Sequence, residues 1–294
     1  MKVAVTGASG LIGTALVADL SADGHQVVRL VRRPVQAPDE ARWDPAAGTI
    51  DSGALHGVDA VVHLAGAGIG DRRWTDDRKR LVLRSRVDGT STLAHALARL
   101  DPMPSVLVSA SAVGFYGDTA GRPVDETGPK GSGFASDVAQ AWEQAAEPAR
   151  VAGIRVVHPR SGLVMARNGG AWARLLPLFR LGLGGHLGNG RQYWSFVTLA
   201  DEVRGLRFLI DHELSGPVNL TAPEAVTNDE LTAEMGRALH RPTAVSVPAF
   251  ALRAVLGEFS SEVLSSIRVR PTALTQAGFE WQHPDLRSAV ATLT

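Results

Sequence analysis

Two kinds of apolar patterning alternate along the chain. Residues 3–5 form a short continuous apolar run, and residues 11–20 space their apolar positions as one face of a helix does. The pair recurs. Apolar runs at 25–31, 58–67, 105–109, 153–158 and 216–220 predict strands, the run at 58–67 reading as a parallel strand buried on both faces. Helical spacing predicts a long helix over 76–100, with Leu81, Leu83, Val87, Leu93, Ala96 and Leu97 as its stripe. Further helices are expected over 136–152, with Ser136 or Asp137 as cap, over 171–181, and from Thr227 to about His240. Segments 34–57 and 117–133 read as Pro- and Gly-rich connections, the first with only a short element at 49–50. The alternation predicts an α/β chain with a doubly wound parallel sheet.

The tail from Pro248 has two short helical patterns, around 252–256 and 262–267, and no catalytic constellation. It reads as a cover on a substrate lobe. The expected division is a nucleotide-binding unit at 1–165, joined by part of 195–225, and a smaller C-terminal lobe at 166–294 that includes the extension 248–294.

Candidate chemistry concentrates where the first strand meets the first helix. The turn reads Gly7-Ala8-Ser9-Gly10-Leu11-Ile12-Gly13. Gly7 permits a tight turn, Gly10 lets backbone approach a diphosphate, and Gly13 lets the helix pack close to the strand. The free N–H groups of the first helical turn, including those of Leu11 and Ile12, suit an anion. One strand later, the place where an acidic residue would hold the ribose of NAD reads Val31-Arg32-Arg33-Pro34. A guanidinium forks onto phosphate oxygens, so Arg32, with Arg33 beside it, suits the 2′-phosphate of NADP in preference to NAD.

Charge and composition remove several classes. Lys plus Arg and Asp plus Glu each total 30, so the formal charge is zero and nothing points to nucleic acid or to a polybasic membrane contact. There are no cysteines, which removes disulfides, thiolate nucleophiles and thiolate-held metals; no metal is expected. No apolar run has the length of a membrane span, and the N-terminus reads as the first core strand and carries no signal-peptide pattern, so a cytoplasmic location is expected.

The Gly-x-x-Gly-x-x-Gly spacing resembles the extended, epimerase-like branch of the short-chain dehydrogenase/reductase superfamily. The resemblance implies a Rossmann-type fold. It places His63-Leu64-Ala65-Gly66 beside the cofactor. Read from the residues alone, His63 is a packing histidine inside an apolar strand. Gly89 and Thr90 match a further motif whose asparagine is replaced by Arg86. Arg86 could neutralise cofactor charge, or could be paired on its helix face with Asp76 or Asp88. The Ser-x-x-x-x-Tyr-Gly stretch implies that Ser111, or Ser109, orients substrate.

The resemblance also requires a Tyr-x-x-x-Lys pair on the helix near 134–139. Phe134/Val138 and Ala135/Ala139 supply neither residue. Of the two tyrosines in the chain, Tyr116 lies just past Ser111 and is the candidate proton donor. Arg160, Gly162 and Val164 match a motif at the passage to the substrate side, and Gln192, Trp194 and Ser195 stand in a segment that lines the family's substrate pocket. Arg73-Trp74-Thr75, Ser85-Arg86, the run from Gly188 to Gln192, the run from Asn219 to Glu224, and Gly278-Phe279 resemble a subgroup with its own C-terminal extension. That subgroup favours NADP and lacks the Tyr/Lys pair.

Two functions follow. One is an NADP-dependent oxidoreductase or epimerase-like enzyme on a small substrate, a nucleotide sugar being one class. The other is an NADP(H)-binding sensor or regulatory protein with impaired catalysis. The oligomeric state stays open between monomer and homodimer.

Overall fold

Val3, Ala4 and Val5 have no solvent exposure because their strand lies in the middle of the main sheet. The computed structural model describes residues 1–294. In chain order the sheet receives β1 (Lys2–Thr6), β2 (Gln26–Val31), β3 (Glu40–Asp44), β4 (Thr49–Ile50), β5 (Ala60–His63), β6 (Val106–Ser109), β7 (Ser111–Ala112), β8 (Arg155–Ser161) and β9 (Gly216–Leu220). Across the sheet the order is β9-β8-β6-β5-β1-β2-β3-β4, with β7 beside β8. Only the β3–β4 pair is antiparallel.

The chain winds outward from β1 to β3 and then returns across β1 to β5. That reversal opens a crevice beyond the carboxyl ends of β1 and β5, where open α/β sheets bind ligands. Helices cover both faces. The first core joins Val3, Val5, Val62 and Val108 to Leu16 and Leu20 of α1 (Leu11–Ala22) and to Leu206 and Leu209 of α6 (Leu199–Asp211). The second joins Ala4, Val61 and Leu107 to Leu93 and Leu97 of α2 (Asp76–Leu97).

The strand β3 was not legible as such. Its alternation is carried by Ala41 and Trp43 alone, set among three charged residues and an arginine partner. The helix expected over 136–152 is two helices, α3 (Phe134–Gln144) and α4 (Glu147–Val151), with Pro148 in the first turn of α4, a position where a missing N–H costs nothing.

A third core fills the C-terminal lobe. Trp172, Leu176 and Phe179 of α5 (Trp172–Arg180) meet Leu231 and Met235 of α7 (Asn228–Leu239), with Ala289 and Val290 of the last helix (Leu286–Ala291) closing it. The tail serves both places: Leu274, in a short helix (Thr272–Gln276), and Phe279 lie in the first sheet-face core. No helix is long and apolar enough to cross a membrane.

Candidate functional site

The glycine turn is shaped by contacts that exclude side chains. Gly7 has φ +68°, and a Cβ there would stand 2.8–2.9 Å from the Leu64 carbonyl and Ala65 nitrogen. A Cβ at Gly13 would stand 2.2 Å from the Gly7 oxygen. Gly10 caps α1 without any side-chain hydrogen bond, so the opening N–H groups of the helix have no capping oxygen. The loop and the 64–66 turn are clamped by Thr6. Its Oγ1 accepts from Leu64 N at 3.1 Å and Ala65 N at 3.2 Å. Its own proton is left for His63 Nδ1, 2.7 Å away.

His63 is therefore a structural group. It is fully buried, edge-on to Trp43 at 5.9 Å, and burial, then the nearby Arg86 cation, pull its pKa down to about 3. It stays neutral at physiological pH.

The two arginines after β2 differ. Both are exposed, but Arg33 is held by Glu40 at 2.5 and 2.8 Å and by the Pro34 carbonyl at 2.9 Å. Hydrogen bonds from Arg33 and from Gln36 N bring the Glu40 carboxyl down to about 2. Arg32 makes no hydrogen bond or ion pair to the protein. The Arg33 fork is thus already occupied by Glu40, whereas that of Arg32 is not.

Arg86 borders the same crevice from α2. It has no ion pair with Asp76 or Asp88; Nη1 donates to the carbonyls of Ala67 at 2.9 Å and Val82 at 3.1 Å. Its Cζ lies 3.3 Å from where a Gly66 Cβ would be.

Ser111 and Tyr116 come together, but in a closed network. Ser111 Oγ donates to Glu143 Oε1 at 2.7 Å. Glu143 is gripped by Arg160 at 2.8 and 2.9 Å, and Arg160 also donates to the Tyr116 hydroxyl at 2.9 Å. That hydroxyl donates to Asn219 Oδ1 at 2.8 Å. Arg160 stacks on Phe115 at 3.5 Å. Tyr116 is 3 % exposed, and burial raises its pKa despite Arg160. The Tyr116 hydroxyl thus has both hydrogen-bonding roles filled within the protein, and Ser111 is bonded to Glu143. Ser109 is fully buried, and its hydroxyl has no partner.

The three pocket candidates are also engaged. Gln192 Nε2 donates to the Leu187 carbonyl at 2.9 Å, and Trp194 Nε1 to that of Val263 at 3.2 Å. Ser195 Oγ donates to the Ile267 carbonyl at 3.0 Å and accepts from Val269 N at 2.9 Å. Trp194 and Ser195 stitch the tail to the lobe, while Gln192 bonds within its own loop.

Where the Tyr/Lys pair would begin, an aromatic cluster stands instead. Phe134 meets Trp74 at 4.8 Å, and Trp74 meets Phe259 of the tail at 5.5 Å.

Two family models match the sequence. The NAD dependent epimerase/dehydratase family matches residues 3–221, and a domain of unknown function (DUF1731) matches residues 247–293. The chain belongs to the NAD dependent epimerase/dehydratase family. Within it, an epimerase family protein of Mycobacterium leprae is 46% identical, over 99% of this chain and 95% of that one. The Arabidopsis thaliana homolog of epimerase family protein SDR39U1, described as chloroplastic, is 34% identical over 99% and 86%. Among solved structures, human epimerase family protein SDR39U1 (isoform 2) with NADPH superposes with a TM-score of 0.88 at 32% identity, covering 99% of this chain and 98% of that one. A nucleoside-diphosphate sugar epimerase from Corynebacterium glutamicum gives 0.81 at 33% identity, covering 99% of this chain and 57% of that one.

For this epimerase-family chain, two acids, Glu143 part-buried and Glu202 buried, escaped the sequence reading. Glu143 sits on a helix whose pattern reads as packing, beside Trp142; only its pairing with Arg160 across the fold shows its role. Glu202, in the first turn of α6, accepts from Ser161 Oγ at 2.6 Å, and burial raises its pKa to about 8. Its neighbour Asp201 accepts from the tail nitrogens of Gln282 at 2.6 Å and His283 at 3.0 Å.

Proposed function

We propose that this family member binds NADP(H) across the crevice and works as an NADP-dependent oxidoreductase or epimerase-like enzyme on a small substrate. The observation that carries the reading is Arg32, exposed at the end of β2 with its fork unoccupied, while no free acid stands there to favour NAD. Gly7, Gly10, Leu11, Ile12 and Gly13 would hold the diphosphate, residues 64–66 would lie alongside, and Arg32 would take the 2′-phosphate. The cradle fits such a group, because a Cβ at Gly7 or Gly13 would collide with backbone and the α1 N–H groups lack a cap. A bound nicotinamide supplies hydride transfer; the chain binds and orients.

The human relative solved with NADPH supports the choice of cofactor, and the Corynebacterium relative supports a nucleotide sugar as one substrate class. The nucleotide unit is inferred to comprise 1–165 and the sheet-forming part of 195–225, with 166–294 providing the substrate side.

A second reading, an NADP(H) sensor, is favoured by a specific observation. Ser111 and Tyr116 are locked into the Glu143–Arg160 network, and Phe134 packs where the tyrosine would stand. Fluorescence titration with NADPH and NADH, followed by a panel of carbonyls and nucleotide sugars, tests both. Preferential NADPH binding with oxidation on any panel member supports the enzyme. Tight binding without turnover across the panel supports the sensor, and absence of binding removes both.

A further inference from the structure

The C-terminal lobe sends a bridge across the crevice. Residues 167–171 form the turn that leads into α5, and this turn rests on the first residue of α1. A Cβ at Gly169 would stand 2.6 Å from Leu11 Cδ1, and one at Gly170 would stand 3.7 Å from Leu11 Cδ2. Within the first turn of α5, Arg174 reaches the opposite wall. It donates to the Gly70 carbonyl at 2.9 Å and to the Asp71 carbonyl at 3.3 Å. The start of α1 follows β1, and residues 64–71 follow β5, so the segment 167–174 touches both sides of the opening between those strands.

The bridge is fastened far less firmly than what it joins. On one side the wall is fixed: a Cβ at Gly70 would stand 2.9 Å from the Phe259 ring, Trp74 Nε1 donates to the Ile69 carbonyl at 2.9 Å, and Arg78 donates to the Gly68 carbonyl. On the other side Trp172 is fully buried in the lobe core. Between these anchors Arg167, Asn168, Gly170, Ala171 and Arg174 are exposed, and no hydrogen bond joins residues 167–171 to α1. One exposed guanidinium on two carbonyls, with an apolar touch on Leu11, closes the span. A segment with so few buried contacts opens readily, and two consecutive glycines, Gly170 at φ +59°, let its backbone swing.

In the NADP reading, on which this inference rests, the diphosphate lies at the start of α1, beside the residue that the turn covers. We propose that residues 167–174 are a strap over the bound nucleotide, bolted by Arg174, and that the bolt must be drawn for NADP(H) to enter or leave. The bolt joins protein to protein, so it holds the strap shut to the same degree with the nucleotide bound or free. Removing it therefore speeds entry and exit alike and leaves the affinity nearly unchanged. A side chain that gripped the nucleotide itself would behave differently, because its loss speeds exit alone.

The test is stopped-flow mixing of the full chain with NADPH, followed by displacement of bound NADPH with excess NADP, both read by nucleotide fluorescence. In Arg174→Ala the association and dissociation rate constants should both rise by about three- to tenfold, the worth of two exposed hydrogen bonds, with the Kd held within about twofold. Arg174→Lys, which keeps a donor for one carbonyl, should fall between. Saturable binding with both rate constants unchanged in Arg174→Ala overturns the strap and leaves the cofactor reading standing. A faster exit alone, with affinity lost by about tenfold or more, overturns it too, since Arg174 would then hold the nucleotide directly. Wild-type protein that takes up no NADPH removes the cofactor reading, and the strap with it.

Discussion

Arg33 and Glu40 form a two-pronged ion pair, Nη1 to Oε2 at 2.8 Å and Nη2 to Oε1 at 2.5 Å, which leaves Arg32 as the free member of an adjacent pair. The two should therefore separate in binding. Arg32→Ala is expected to weaken NADP by roughly ten- to hundredfold and NAD little, the value of a charge-assisted contact. Arg33→Ala should change either affinity by less than about threefold. Fluorescence titration of both variants with both nucleotides reads this directly; equal losses for NADP and NAD in Arg32→Ala would remove the phosphate role.

Tyr116→Phe deletes a buried hydroxyl that Arg160 and Asn219 both use. The cost should be about 1–3 kcal/mol of unfolding free energy, because two buried partners lose a contact. Any catalytic rate should survive within about threefold, since the phenol reaches no open space and the lost contacts are structural. Urea denaturation and turnover measured on the same sample check the pair of outcomes. A collapse of turnover with unchanged stability would identify Tyr116 as a proton donor.

Glu202 makes stability depend on pH in a defined direction. Its folded pKa, about 8, lies above the ordinary carboxyl value of 4.5, so the folded protein holds a proton that the unfolded chain releases. Stability from this group is present at low pH and falls as pH rises from about 4.5 to about 8, by on the order of a few kcal/mol. Glu202→Gln keeps the neutral shape and removes the titration. Its melting temperature should exceed that of the wild type at pH 8 and approach it near pH 5. A gap that does not widen with pH would show that the carboxyl is charged in the folded state.

Gly13→Ala should be far more damaging than its single added methyl suggests. The new Cβ would stand 2.2 Å from the Gly7 oxygen, and backbone cannot move aside as a side chain would. The start of α1 would have to leave the glycine loop, and NADPH affinity should drop by roughly a hundredfold or more. Gly24→Ala is the contrasting control: it meets nothing within 4 Å, though its φ of +76° carries a modest backbone cost. Retained affinity in Gly13→Ala would place the diphosphate elsewhere.

Much of the sheet was readable because it is parallel and buried. Runs such as Val61 and Val62, or Val106 to Val108, need no partner information to be seen. β3 was missed because Glu40 and Arg42 interrupt it, and its charge is explained only by Arg33 and Arg29 arriving from β2. Near the candidate site, the backbone shape of the glycine turn and the lack of an acid directly after β2 were legible, since both are local facts. The internal partners of Ser111, Tyr116, Trp194 and Ser195 were not legible because they lie far along the chain, as Asn219 does for Tyr116 and Ile267 for Ser195; Gln192, bonded to Leu187 in its own loop, is the local exception.

The tail's placement of Leu274 and Phe279 in the same apolar layer as Val3 and Leu16 binds the two ends of the polypeptide to one fate. A protein shortened to the segment recognisable as an epimerase would carry an open wound beside its central strand, and with it Asp201 would lose both tail amides. The C-terminal piece is thus part of the wall of the central core and not a separate cover laid over a finished surface.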